Sequence, residues 1–182
     1  QLCGIRPIST IVDITNYVLL ETGHPLHAFD DHLCAKKSFT IEEASSEMTI
    51  TTLDEQTRTL DAKQLVIMQA NQPVAIAGIM GGKDTEVSDS TTCIFLEAAY
   101  FDSTSVRRSA TALGLRTESS IRFEKGVPVD TVDYASQRAS SLLAELANGS
   151  VSKHVIAAKK DTHSCFKQQK ISFSLDQLNT FL

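Results

Sequence analysis

Asp13-Ile14-Thr15-Asn16-Tyr17-Val18-Leu19-Leu20-Glu21-Thr22-Gly23-His24-Pro25-Leu26-His27-Ala28 contains a change of structural period. Pro7 and Ser9 precede a helical pattern of Ile8, Ile11, Val12, Thr15 and Leu19, which Gly23 can end. Pro25 biases its predecessor away from helix, so His24 to Phe29 reads as extended. The stretch also carries polar groups that packing alone does not need. A helix that only packs has no use for Asp13, Thr15 and Asn16 in its middle, nor an extended segment for a Pro between two His.

Outward from this stretch, short strands are expected at Phe39–Glu42, Met48–Leu53 and Arg58–Leu60, with Asp54-Glu55-Gln56 as a hairpin turn. Leu65–Met68 and Val74–Ile79 form a second pair turned at Asn71-Gln72-Pro73, and Cys93–Ala98 is another strand. The character then changes. Asp102 can cap a helix through Leu113, with Gly114 as its stop. Asp130 can cap a longer helix through Ala147, where Val132, Ala135, Ala139, Leu142, Leu143 and Leu146 keep helical spacing and Asn148-Gly149 ends the run. Val151–Ala157 reads as one more strand. Strands first and helices later predict an α+β fold, with mixed or antiparallel sheets packed with a few helices. The polar run from Lys159 shows no periodicity, and Ile171–Leu182 begins a strand and a short helix. The expected division is a domain over 1–158, a linker over 159–170 and the start of a next domain over 171–182. With Gln1 first and no initiator Met, the chain reads as a piece of a longer protein.

A chain of 182 residues, 42% hydrophobic and 21% charged, has the composition of a soluble globular domain. No apolar run approaches the length that spans a bilayer, and no secretory signal precedes the first element. Four cysteines (3, 34, 93 and 165) lie far apart without a Cys-x-x-Cys, which argues against a zinc site and suits free thiols in a reducing cytoplasm. Cys93 reads as a packing residue. Net charge is −5, yet Arg107, Arg108, Arg116, Arg122 and Lys125 face only Glu118 and Glu124 between positions 107 and 125, a local +3. This is either a solvated helix face or a patch for one end of a nucleic acid.

Four segments could carry chemistry. Gly78-Ile79-Met80-Gly81-Gly82 lacks the Lys-Ser/Thr of a P-loop and the full Gly-x-Gly-x-x-Gly spacing. Its glycines make either a tight turn or a close backbone approach to a ligand. Glu97 alternates with Phe95, so if Phe95 faces the core Glu97 does too, and a buried acid then needs a partner or a raised pKa. Otherwise the strand shows it to solvent. His24 and His27, three apart on an extended segment, point to opposite faces and cannot converge on a metal; each is a ligand-facing or a structural residue. Leu115 to Glu124 is a polar loop between helices, able to carry a site, to cap a short helix at Thr117 or Ser119, or both. No nucleophile-base pair of a covalent mechanism is visible.

Taken together, Arg6-Pro7-Ile8, the run from Asp13 to Asp30, Leu53-Asp54 through Leu60-Asp61, Ala75 through Gly82, Val87-Ser88-Asp89, Ile94 to Tyr100, Arg107-Arg108 and Leu113 through Gly126 resemble the editing module of bacterial-type phenylalanyl-tRNA synthetase beta chains. The resemblance is collinear from about Cys3 to Ala157, and the tail from Ile171 resembles the start of the next module. It implies hydrolysis of tyrosine mischarged onto tRNA(Phe). A pocket built for phenylalanine cannot strongly reject an added hydroxyl, whereas a second site can demand it. By the same resemblance Glu97 reads the tyrosine hydroxyl, while His27, Arg6 and Thr117 take the catalytic places. Thr15, Asn16, Gly81, Gly82 and Ser119 line the substrate. It further implies water as nucleophile, placed by His27 and backbone amides near Gly81, with no metal and no covalent intermediate. A ribose hydroxyl of the substrate is the candidate for activating that water. The parent enzyme would use ATP and magnesium and pair two alpha with two beta chains in the cytoplasm, with the tRNA(Phe) acceptor end as partner and no membrane. The chain departs from the family pattern at Ser119, where Ala is usual, at Lys125, where Arg is usual, and at Val127–Asp130, which replaces a shorter form. Ser119 adds a hydroxyl to the pocket wall and keeps a second reading open, a non-catalytic RNA-binding or subunit-assembly module. A small-molecule esterase is a third, disfavoured for want of an activated nucleophile.

Overall fold

A computed structural model describes residues 4–36, 38–152 and 172–181. The chain divides into two compact units, 1–151 and 152–182. In the second, α5 (Leu175–Phe181) is a short helix whose first turn bonds to Ser174 Oγ, and 172–174 are irregular rather than strand. The expected linker and most of the last expected strand lie outside the described residues; Val151 and Ser152 themselves are not in a strand.

The first unit is α+β, and every pairing among its strands is antiparallel. Its first helix, α1 (Thr10–Thr22), begins at Ser9, whose Oγ accepts from Val12 N, and ends at Gly23 with φ 75°, whose N–H bonds Leu19 O. One face of α1, Ile14 and Val18, packs on Ala135 and Ala139 of α4 (Thr131–Leu146), where the small side chains allow close approach. Arg138 of α4 grips the Glu21 carboxylate at 2.8 and 3.1 Å and pins the same pair of helices.

β1 (Leu26–Asp30) pairs with β8 (Ile94–Ala98) as a two-faced ribbon. Leu26 and Leu96 lie against the α1–α4 cluster, whereas Phe29 and Phe95 join the main core. Strand alternation thus separates two cores with one ribbon. The main core is built on a four-stranded sheet in the order β2 (Phe39–Glu43), β5 (Leu65–Gln69), β6 (Gln72–Ile76), β7 (Met80–Gly81). A separate hairpin, β3 (Thr49–Thr51) and β4 (Thr57–Thr59), adds Ile50 to that core, and Leu60 just beyond it is almost fully buried there.

The β5–β6 turn differs from the expected one. It falls on Ala70 and Asn71, at φ 50° and 69°, because Gln72 is already paired with Gln69. Pro73 then sits inside β6 opposite Met68, where a register shift between Ile67 and Met68 removes the need for its missing donor. β6 stops at Ile76 rather than running to Ile79. Gly78 turns the chain at φ 69°, and a Cβ there would lie 3.0–3.1 Å from Phe101, Phe123 and Val106. The helices close over this turn. α2 (Ser103–Leu113) has the expected Asp102 cap and Gly114 stop. α3 (Glu118–Lys125) starts at Thr117. Asp130 precedes α4 without a side-chain capping bond; Thr131 Oγ1 bonds Pro128 O instead. Cys93, one residue before β8, is exposed rather than packed.

Candidate active site

The β1–β8 register places His27 directly opposite Glu97. Residues so opposed hold their Cβ atoms about 4.5–5.5 Å apart. The face they share carries an aromatic stack: the His27 ring meets Phe29 edge-on at 4.5 Å, Phe29 lies 5.2 Å from Phe39, and Phe39 lies 4.4 Å from Phe95. Beyond this stack opens a cleft. Its inner part is bounded by His27 and Glu97, by Ile67 and Ile76 of the sheet, by the Gly78–Gly81 turn and by Ser119 and Phe123 of α3. Its mouth is bounded by Asn16, Leu53, Asp54, Thr117 and Glu118, with His27 and Gly81 common to both parts.

Burial pushes the Glu97 carboxyl up to about 7. Among the described residues no hydrogen bond or ion pair occupies it. The same burial drives the His27 imidazole down to about 4, so the ring is neutral at physiological pH. Its Nε2 is shut off from solvent and has no hydrogen-bond partner among the described residues. A half-buried acid with a raised pKa and a neutral imidazole on one wall form a recognition and positioning pair for an uncharged polar group. The two titrations act oppositely on stability. Glu97 ionises near 4.5 when unfolded, so its contribution is greatest at low pH and declines as pH rises from there to about 7. His27 contributes stability that is full above 6.5 and is lost as pH falls towards 4. Denaturant titrations at about pH 5 and about pH 8 therefore show Glu97→Gln gaining on the wild type as pH rises. A constant difference would mean that the carboxyl is hydrated.

Gly81 and Gly82 have different roles. A Cβ at Gly81 would lie 2.4 Å from His27 Cε1 and 2.6 Å from its Nε2, so the imidazole occupies the space that glycine leaves. A Cβ at Gly82 would meet the Val74 carbonyl oxygen at 2.8 Å, so this glycine serves the sheet; it lines neither part of the cleft.

The wall opposite the ribbon is the first turn of α3. Thr117 Oγ1 accepts from Ser120 N at 3.0 Å and donates to Ile79 O at 2.8 Å, while Ser120 Oγ returns to Thr117 N in a reciprocal cap. Ser119 Oγ donates to Gly78 O at 3.1 Å. Both hydroxyls thus fasten the wall to the glycine turn. Thr117→Val removes the cap and the tertiary bond together, at a cost of about 1–2 kcal/mol in a denaturation experiment, and Thr117→Ser restores most of it.

The other expected site residues are dispersed. Asn16 reaches the mouth. Thr15 is buried in α1 with its hydroxyl on Val12 O, and Arg6 is exposed ahead of α1; neither lines the cleft. His24 is fully buried away from His27. Thr131 donates its proton to Pro128 O, so His24 Nδ1 donates to Thr131 Oγ1 at 3.1 Å, and the ring is a structural joint. Leu53, Asp54 and Met80 were not expected at the cleft. The four-residue spacing of Asp54 and Arg58 was the one available signal. Among the described residues no three His, Cys, Asp or Glu side chains converge as a metal site, and no helix is long and apolar enough to cross a membrane.

The sequence matches the B3/4 domain family over residues 1–148. It is 49% identical to the phenylalanine–tRNA ligase beta subunit of Shouchella clausii (strain KSM-K16) over 97% of this chain and 21% of that protein. It is 47% identical to the beta subunit from Geobacter sulfurreducens over 100% of this chain and 22% of that protein. Against the beta subunit from Synechococcus sp. (strain JA-3-3Ab) identity is 54% over 81% of this chain and 19% of that protein. The chain spans about a fifth of the length of the curated relatives it matches. With a family match over most of its first unit and this similarity along nearly its whole length, the chain belongs to the B3/4 domain family, in the form carried by phenylalanine–tRNA ligase beta subunits.

Proposed function

We propose that this cleft is a proofreading site that hydrolyses the ester joining tyrosine to the 3′ end of tRNA(Phe). The observation that carries the reading is the Glu97 carboxyl, half-buried and without a hydrogen-bond partner among the described residues, on the wall of a cleft lined mainly by apolar residues and directly opposite His27 on the paired strand. A phenol entering the cleft gives that carboxyl a proton to accept. A phenylalanine ring leaves it unpaired, at a cost of about 1–3 kcal/mol. Neutral His27 and the backbone beside Gly81 flank the cleft between its inner part and its mouth, where the ester and the attacking water would lie. Thr117 and Ser119 hold the opposite wall. The tRNA acceptor end would approach over α2 and α3, where Arg107, Arg108, Arg116 and Lys125 are exposed and Arg116 directly precedes the mouth residue Thr117.

In this reading the chain is the editing part of a cytoplasmic ligase of two alpha and two beta chains, and ATP and magnesium serve phenylalanine activation on the alpha chain. The Ser119 hydroxyl, engaged by Gly78 O, does not face an empty bond in the pocket, so the added polarity is spent in the wall. The full-length enzyme tests the assignment. Tyrosyl-tRNA(Phe) should be hydrolysed by the wild type and much more slowly by Glu97→Ala and His27→Ala. Equal rates in all three would falsify it in favour of a non-catalytic module. A pH series adds a sign: discrimination of tyrosyl over phenylalanyl ester should rise as pH passes through about 7, because the ionised carboxylate makes the stronger bond to the phenol.

A further inference from the structure

Between β3 and β4 the chain turns at the mouth of the cleft, with Asp54 on its rim. Arg58 holds the Asp54 carboxylate with both arms, Nη1 to Oδ1 and Nη2 to Oδ2, each at 2.8 Å. The Thr52 hydroxyl, fully buried, donates to the same Oδ1 at 2.6 Å and also receives Arg58 Nη1. The Arg58 side chain is largely covered and that of Asp54 about a third exposed, so the pair has a fixed geometry, while the hairpin is already anchored by Ile50 and Leu60. The clasp therefore does more for the shape of the turn than for the attachment of the hairpin.

The turn is joined to the site by its backbone. Leu53 N donates to Gly81 O at 3.1 Å, and Thr52 pairs with Gly82 across an isolated antiparallel bridge. Gly81 is a thin partition. The position of a Cβ on it is 3.3 Å from Leu53 Cδ1 and 2.4 Å from His27 Cε1. We propose that the Asp54–Arg58 clasp is a positioning device for His27, fixing Leu53 and, through the Leu53–Gly81 bond, the backbone against which the imidazole rests. Asp54 is then a positioning residue that needs no contact with substrate. The proposal rests on the proofreading reading only where it predicts a rate.

The test uses the full-length enzyme with Asp54→Ala, the isosteric Asp54→Asn, and Arg58→Lys, which keeps the charge but not the two-armed grip. Hydrogen exchange at His27 Cε1, followed by mass spectrometry across a pH series, reports the ring without reference to activity. Besides His27, the titratable groups around the cleft are Glu97 opposite and Asp54 and Glu118 at the mouth. In the wild type the exchange midpoint should lie well below the ordinary histidine value. In Asp54→Ala it should move up towards that value, with smaller shifts in Asp54→Asn and Arg58→Lys. Hydrolysis of tyrosyl-tRNA should lose about ten- to hundredfold in kcat with KM unchanged. An unaltered His27 exchange profile in all three folded variants overturns the proposal, whatever the rates do. A shifted profile in an enzyme whose wild type does not hydrolyse the ester sustains the positioning role and overturns the proofreading reading instead.

Discussion

Glu97→Ala should invert the preference of the site, slowing tyrosyl-tRNA hydrolysis about ten- to hundredfold while phenylalanyl-tRNA hydrolysis rises. The first effect follows from losing the acceptor for the phenol proton. The second follows from removing a desolvated carboxyl that phenylalanine cannot satisfy, which leaves an apolar wall among Ile67, Ile76 and Phe123. Parallel single-turnover measurements on the two esters check both. A fall in both rates by the same factor would assign Glu97 a general structural role. Glu97→Gln separates charge from shape: it keeps a carbonyl acceptor and loses the titration, so discrimination should no longer depend on pH near 7.

Gly81→Ala should produce the second large effect. The methyl group cannot coexist with the imidazole at 2.4–2.6 Å, and Phe29 stacked edge-on at 4.5 Å restricts the ring's retreat. We expect a stability loss of about 1–3 kcal/mol from overpacking and a loss of hydrolysis of about tenfold or more from the displaced ring. Combining Gly81→Ala with His27→Ala should recover most of the stability and none of the activity, a coupling that denaturation of the four forms of the cycle measures. Additive stabilities would show that the two residues do not share the space. Gly82→Ala makes the contrast. Its Cβ meets the Val74 carbonyl rather than the His27 ring, so its cost should be the same whether or not His27 is present.

The helices were legible because their signals are local. Ser9 and Gly23, and Asp102 and Gly114, mark ends that cap chemistry determines within a few residues, and of the two candidates for the start of α3 the structure uses Thr117 rather than Ser119. The β5–β6 turn falls earlier than its local signal indicates, for a related reason. Pro73 is a strong local turn signal, but the register shift opposite it accepts a proline within the strand, and only the partner strand creates that shift. Asp130 likewise offers a suitable side chain for a cap, yet Thr131 and Pro128 supply the bond that starts α4. In the cleft, alternation places Glu97 beside Phe95 on one face, and the structure half-buries both, with Phe95 packed on the main core and Glu97 on the cleft wall. The Asp54–Arg58 spacing marks a pair within the hairpin and not the hairpin's place at the mouth, since a turn's distant neighbour has no trace in its own spacing.

By itself the sequence determined the succession of strands followed by helices, the ends of α1 and α2, and which residues of β1 and β8 share a side, while the start of α3 stayed open between Thr117 and Ser119 and β7 had no signal of its own. Periodicity and capping are properties of neighbours along the chain, so they survive without the rest of the molecule. Only the tertiary structure decided that His27 stands opposite Glu97, that Gly81 yields its side-chain space to the imidazole, and that Thr117 and Ser119 fasten α3 to the glycine turn. Those relations join segments far apart in the chain. They are set by the pairing register and by close packing, which act through space and leave no period in the sequence.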